Sequence, residues 1–140
     1  MDASPLTHHV ESFRFWDVVS LWARERLEHE HLVARALARG VVRDGLRLQS
    51  VDPRWLKPGT FELRGEPLVG YVAREGALPV ILRATALAHL RSIVERGATP
   101  DPALLHEEFV TRQDFGAWLD RERLPVPAFW FAVQVADVAL

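Results

Sequence analysis

The sequence predicts an α+β domain. An N-terminal helix or helix pair comes first, then a small, mainly antiparallel sheet with a hairpin at about 68–83, then two or three C-terminal helices. Three observations lead there. Apolar residues recur at helical spacing near both ends of the chain. The middle alternates in polarity and is punctuated by glycine and proline, as strands and turns are. Finally, 49% of the 140 residues are apolar and five are tryptophan, enough for a core and too apolar for a disordered chain.

Taken in order, residues 1–11 read as a flexible tail, and 12–140 as a single domain. Ser12 is expected to cap a helix carrying Phe15, Val18, Val19, Trp22 and Ala23 on one side. The polar stretch Glu25 to His31 interrupts that stripe, and Leu32, Val33, Ala36 and Leu37 resume it. The pattern fits one bent helix from about Ser12 to Arg39, or two helices joined near Glu28, with Gly40 as the end residue. Val41 to Val51 contains Gly45 and then Leu46-Arg47-Leu48-Gln49, which alternates like a short strand; Pro53 to Gly59 reads as a loop holding Trp55, and Thr60 to Arg64 reads as a strand. Leu68 to Arg74 and Leu78 to Arg83 form the expected hairpin around Glu75-Gly76-Ala77.

Thr85 is expected to open a helix with Leu87, Leu90, Ile93 and Val94 inward and Gly97 closing it. Asp101 before Pro102 fits an N-cap followed by proline at the first helical position, for a short helix to Glu108. Thr111 stands three residues before Asp114, a capping-box pattern. Val110 and Phe115 fit a hydrophobic staple, and Phe115, Trp118 and Leu119 form one stripe. Pro125 stops this helix near Arg123.

Motifs for chemistry are sparse. There is no cysteine, no G-x-S-x-G, no H-E-x-x-H and no phosphate-binding loop, so no catalytic residue is assigned. Glu28 and His31 form an E-x-x-H, and Glu25 and His29 are four apart. His29 and His31 fall on different sides of a helix, and a second E-x-x-H is lacking, so no metal or other cofactor is expected. His89, Ser92 and Arg96 form a row expected on the solvated side of their helix.

Arg35, Arg39, Arg43 and Arg47 recur every four residues, the spacing of a basic ridge that can contact phosphates. Gly40 and Gly45 are expected to break it after Arg39. The plainer expectation is surface arginines paired with Glu28, Glu30 and Asp44. Of the 17 cationic side chains only Lys57 is a lysine, yet the net charge is −2, which counts against a dedicated nucleic-acid binder. Phe129, Trp130 and Phe131 cannot all face one way if extended. They are therefore expected, with Val133 and Val135, at a protein interface, most simply that of a twofold homodimer.

The ending D-F-G-A-W-L followed by L-P-V-P-A-F-W-F resembles the close of small uncharacterised bacterial proteins, a resemblance that implies no activity. Val110-Thr111-Arg112-Gln113-Asp114-Phe115-Gly116-Ala117-Trp118-Leu119 is also similar to the last helix of excisionase-like winged helix-turn-helix proteins. That likeness implies an arginine and aspartate opening the helix, a packed tryptophan, and DNA as partner. More than sixty residues separate Ala34–Gly40, the candidate second helix, from Val110, so that family's DNA-contacting residues have no assignable counterparts.

The function expected from these observations is a non-enzymatic cytoplasmic binding or regulatory protein. It would act through protein–protein interaction, with itself or another protein, and without a membrane. A DNA-associated regulator or mobile-element accessory protein is the alternative, and an enzyme with a site dispersed along the chain is the third.

Overall fold

The structure is a computed structural model that describes residues 11–50, 56–63, 66–73 and 82–131. It is an α+β fold. In chain order come β1 (Ser12–Arg14), α1 (Phe15–Arg26), α2 (Glu30–Arg43), β2 (Gln49–Ser50), β3 (Leu56–Leu63), β4 (Glu66–Ala73), α3 (Ala84–Arg96), a 3-10 turn (Pro102–Leu105), β5 (Glu108–Thr111) and α4 (Arg112–Arg121). The strands form one sheet in the order β2-β5-β1-β4-β3, and every pairing is antiparallel.

β1 and β5 set the frame. Each runs straight into a helix, α1 after Arg14 and α4 after Thr111, and they pair with Phe13 opposite Val110. Ser12 is therefore a strand residue paired with Thr111 and Tyr71, not the helix cap its hydroxyl suggested. Arg14 takes the cap position, and its side chain does not cap the helix. Thr111 caps the helix at the other junction as its spacing predicts: the Asp114 amide donates to Thr111 Oγ1 at 3.0 Å.

Residues 12–43 contain two helices. Leu27 closes α1 with left-handed geometry (φ 55), and the Glu28 amide returns to the Ala23 carbonyl. The His29 ring opens α2, Nδ1 accepting from the His31 amide at 3.0 Å. α2 passes through Gly40 and ends at Arg43, so Gly40 is not the terminator. The reason is steric. The Trp118 ring of α4 lies on Gly40, and a Cβ there would sit 2.8 Å from Trp118 Cζ2. Gly40 provides close approach rather than backbone freedom. The left-handed turn falls on Gly45 (φ 77), and the Leu46 amide returns to the Gly40 carbonyl at 2.9 Å. One turn beyond Trp118, Arg121 donates to the Gly45 carbonyl at 3.1 Å, so α4 touches both α2 and the turn that follows it.

Other local expectations shift. Among the described residues of the 41–51 stretch, Gln49–Ser50 alone is strand. The loop expected over 53–59 gives way to β3 from Leu56, with Pro58 and Gly59 inside the strand. β3 closes one side of the described sheet, a position that tolerates proline. β3 pairs with β4 from Leu56 opposite Ala73 to Leu63 opposite Glu66. Of the hairpin expected over 68–83, residues 74–81 lie outside the described residues, as do Trp55 and the tail at 1–10. Thr85 is exposed in the first turn of α3, whose cap position is Arg83; Gly97 ends that helix as expected. Asp101 caps the 3-10 turn through the Ala103 amide, but the turn stops at Leu105 because Glu108 begins β5.

The core lies where α1, α2, α3 and α4 meet the sheet. Its centre is aromatic: Trp130 meets Phe13 edge-on at 4.9 Å and stacks on Phe115 at 5.5 Å, while Trp22 meets Phe115 edge-on at 5.4 Å. Such pairs add about 0.5–1.5 kcal/mol each beyond the area they bury. No helix among the described residues is long and apolar enough to cross a membrane.

Gly40→Ala tests the contact between α2 and α4. Intrinsic helix propensity alone favours alanine by about 1 kcal/mol. The clash with Trp118 costs about 1–3 kcal/mol, so urea unfolding should show a net loss of stability. A gain matching the propensity would mean that the ring does not sit on Gly40.

Candidate functional site

Two groups of polar residues stand out, one closed on itself and one open. The closed group is built on Ser50 and Glu108, which face each other across the β2–β5 ladder. Glu108 is fully buried at 0% exposure. Ser50 Oγ donates to Glu108 Oε2 at 2.7 Å. Arg83 forks onto the same carboxylate, Nε to Oε2 at 2.8 Å and Nη2 to Oε1 at 2.9 Å, and its amide donates to Ser50 Oγ at 3.0 Å. The bonds to Glu108 hold the Arg83 guanidinium pKa above its ordinary value; burial pulls the other way, and the Glu108 and Glu107 charges add to the rise. Glu107 lies 3.4 Å from Arg83 Nη1, and His106 Nε2 lies 3.6 Å from Glu107. The serine proton and both carboxylate oxygens are engaged, so the group joins β2, β5 and the start of α3.

Asp17, in the first turn of α1, is the second perturbed group. Burial raises its pKa above 3.8, and the neighbouring Arg14 charge only partly offsets this. His89, expected on the surface, is buried and accepts from the Asp101 amide through Nε2 at 2.9 Å, which ties α3 to the 3-10 turn. Its apolar neighbours in the helix gave no hint of that bond, because the donor lies twelve residues away.

The Glu25, Glu28, His29 and Glu30 side chains of the 25–31 stretch are engaged in other bonds. The Glu25 carboxylate accepts from the Ala128 and Phe129 amides at 2.9 and 2.8 Å. Glu28 pairs with Arg26, Glu30 accepts from Ser20, and His29 caps α2. Among the described residues no three His, Asp or Glu side chains stand together to hold an ion.

The aromatic ending needs a correction. Residues 127–131 form a turn rather than an extended segment, with the Trp130 and Phe131 amides both donating to the Pro127 carbonyl. Glu25 holds its leading amides, and Arg112 Nε donates to the Trp130 carbonyl at 3.1 Å while its guanidinium lies over the Phe131 ring. Phe129 and Trp130 are 3% and 0% exposed inside the chain's own core, and Phe131 packs half-buried beside Phe115. A turn can send all three rings to one side, which an extended strand cannot. The rings expected at an interface are therefore occupied within the chain. Val133 and Val135, expected with them, lie outside the described residues.

The open group is the arginine series. Arg35, Arg39 and Arg43 all lie on α2, because the helix continues past Gly40, and Arg47 follows its end. All four are exposed. None forms an ion pair or side-chain hydrogen bond among the described residues, and the carboxylates of Glu28 and Glu30 are bonded elsewhere. A four-residue step advances about 6 Å and turns about 40°, so the three helical arginines form one ridge about 12 Å long. Leu32, 56% exposed, and Ala36 lie beside it on the same outward face.

Comparison with family models, with curated proteins and with solved structures finds no match.

Two variants test these groups. Glu108→Ala leaves the Arg83 fork and Ser50 without their shared partner and should cost about 3 kcal/mol in urea unfolding; unchanged stability would remove the group from the framework. Asp17→Asn tests the raised pKa. An acid whose folded pKa exceeds 3.8 holds its proton more tightly when folded, so its contribution to stability is greatest at low pH and declines as pH rises from 3.8 through the folded value. The variant should be more stable than the wild type at neutral pH, with the gap closing as acidification takes the pH from above the folded value down to 3.8. A gap that widens on acidification would contradict the assignment.

Proposed function

We propose that this protein acts non-enzymatically, by binding another protein, and that the outward face of α2 is where the partner sits. The observation that carries this is the ridge of Arg35, Arg39 and Arg43, exposed and without a partner among the described residues. Like charges four residues apart destabilise a helix by about 0.2–0.5 kcal/mol per pair. The ridge therefore costs stability in the free protein, and an anionic partner removes that cost. Arginine suits the task, since its planar fork binds carboxylates in pairs of hydrogen bonds. The net charge of −2 favours a partner recognised by this local patch over a polyanion drawn in by the field of the whole molecule.

A second reading is a DNA-associated regulator using the same residues. It is favoured by the continuity of α2 through Gly40, which keeps the three cations on one side at a step of about 6 Å.

One pair of measurements separates them. A photo-crosslinking residue at position 36 should capture a protein from native lysate, and Arg39→Glu should abolish the capture. A labelled duplex of about 20 base pairs should show no binding at low salt; if it binds, with a steep salt dependence that Arg39→Glu flattens, the second reading replaces the first.

A further inference from the structure

We infer that the partner on α2 is an acidic amphipathic helix lying along the ridge. This rests on the protein-binding reading above and specifies the partner's chemistry. The outward face of α2 consists of two adjacent rows. Arg35, Arg39 and Arg43 form the charged row, and Leu32 and Ala36 form a short apolar row beside it. No carboxylate belongs to this face: Glu30, the one acid in α2, turns toward α1 and accepts from Ser20. A ligand that matches the face therefore needs anions spaced about 6 Å apart in a line, with apolar groups in a parallel line. A helix with Glu or Asp at every fourth position has that spacing, and its neighbouring i, i+4 row supplies the apolar line. Ala36 is small, so a second helix can approach closely between Leu32 and the arginines. The arrangement is one side of the pairing used in coiled coils, where an apolar seam is flanked by charges that choose the partner. Another copy of α2 would set arginine against arginine, so this face does not pair with itself.

Solvated ion pairs contribute little individually, so the match should appear as selectivity rather than high affinity. The probe is a labelled alanine-based peptide of about 18 residues, long enough to be helical. It carries Glu at three successive fourth positions and Leu in the adjoining row. A control of the same composition places the acids around the helix. Anisotropy titrations against the wild-type protein should favour the aligned peptide by about tenfold. Arg39→Glu should remove that preference, and a peptide with Lys in place of the central Glu should restore binding to the variant. Arg39 is exposed and unpaired among the described residues, so the variant should melt no lower than the wild type. Equal binding of the two peptides, absence of binding to both, or failure of the swapped pair would overturn the inference. If the peptides fail while the crosslinker at position 36 still captures a protein through Arg39, the partner is acidic but not helical, and the protein-binding reading stands. If no capture depends on Arg39, that reading falls as well.

Discussion

The course of α2 through Gly40 turns on one contact, the Trp118 ring of α4 lying on that glycine. Any side chain at position 40 would hold the ring off. Because none is there, the Trp118 ring reaches the backbone of α2, and Arg121 reaches the Asp44 and Gly45 carbonyls just past its end. The indole nitrogen has no hydrogen-bond partner among the described residues, so the ring contributes by packing alone. Beside that contact, the side of α2 left open to solvent carries Arg35, Arg39 and Arg43.

A second constraint fixes the end of the described chain. The turn at 127–131 has its amides on Glu25 and a carbonyl on Arg112, so an acid from α1 and a base from α4 grip it from both ends. These polar anchors let Phe129 and Trp130 enter the core, where Phe13 and Phe115 receive them. The Arg83–Glu108–Ser50 group works similarly at the β2 edge of the described sheet. It joins β2, β5 and the start of α3, with Arg83 left 30% exposed.

Much of this was legible from local pattern. Apolar periodicity placed α1, α2, α3 and α4, and the cap signals at Thr111, Asp101 and Gly97 form as their chemistry dictates. The failures share a cause. Ser12 and Glu108 each read as helix-associated, but both are strand residues whose pairing partners lie far along the chain. Gly40 read as a terminator because a glycine in a helix has two explanations, and only the distant Trp118 distinguishes them. That misreading cut the arginine series after Arg39. The Phe129-Trp130-Phe131 run implies an interface only if it is extended, and the Glu25 anchor that bends it into a turn lies over one hundred residues away. The apolar pattern reported which residues want burial, and long-range hydrogen bonds decided where burial was available.

The central claim is that α2 continues through Gly40 under Trp118 and so presents its three arginines as one ridge. NMR of the isotopically labelled protein tests it directly. The account predicts helical carbon shifts for residues 40–43, a Gly40 α-proton shifted upfield by the indole ring, and cross-relaxation between that proton and the ring protons of Trp118. Shifts that relax to coil values at Gly40, with no cross-relaxation to Trp118, would contradict it.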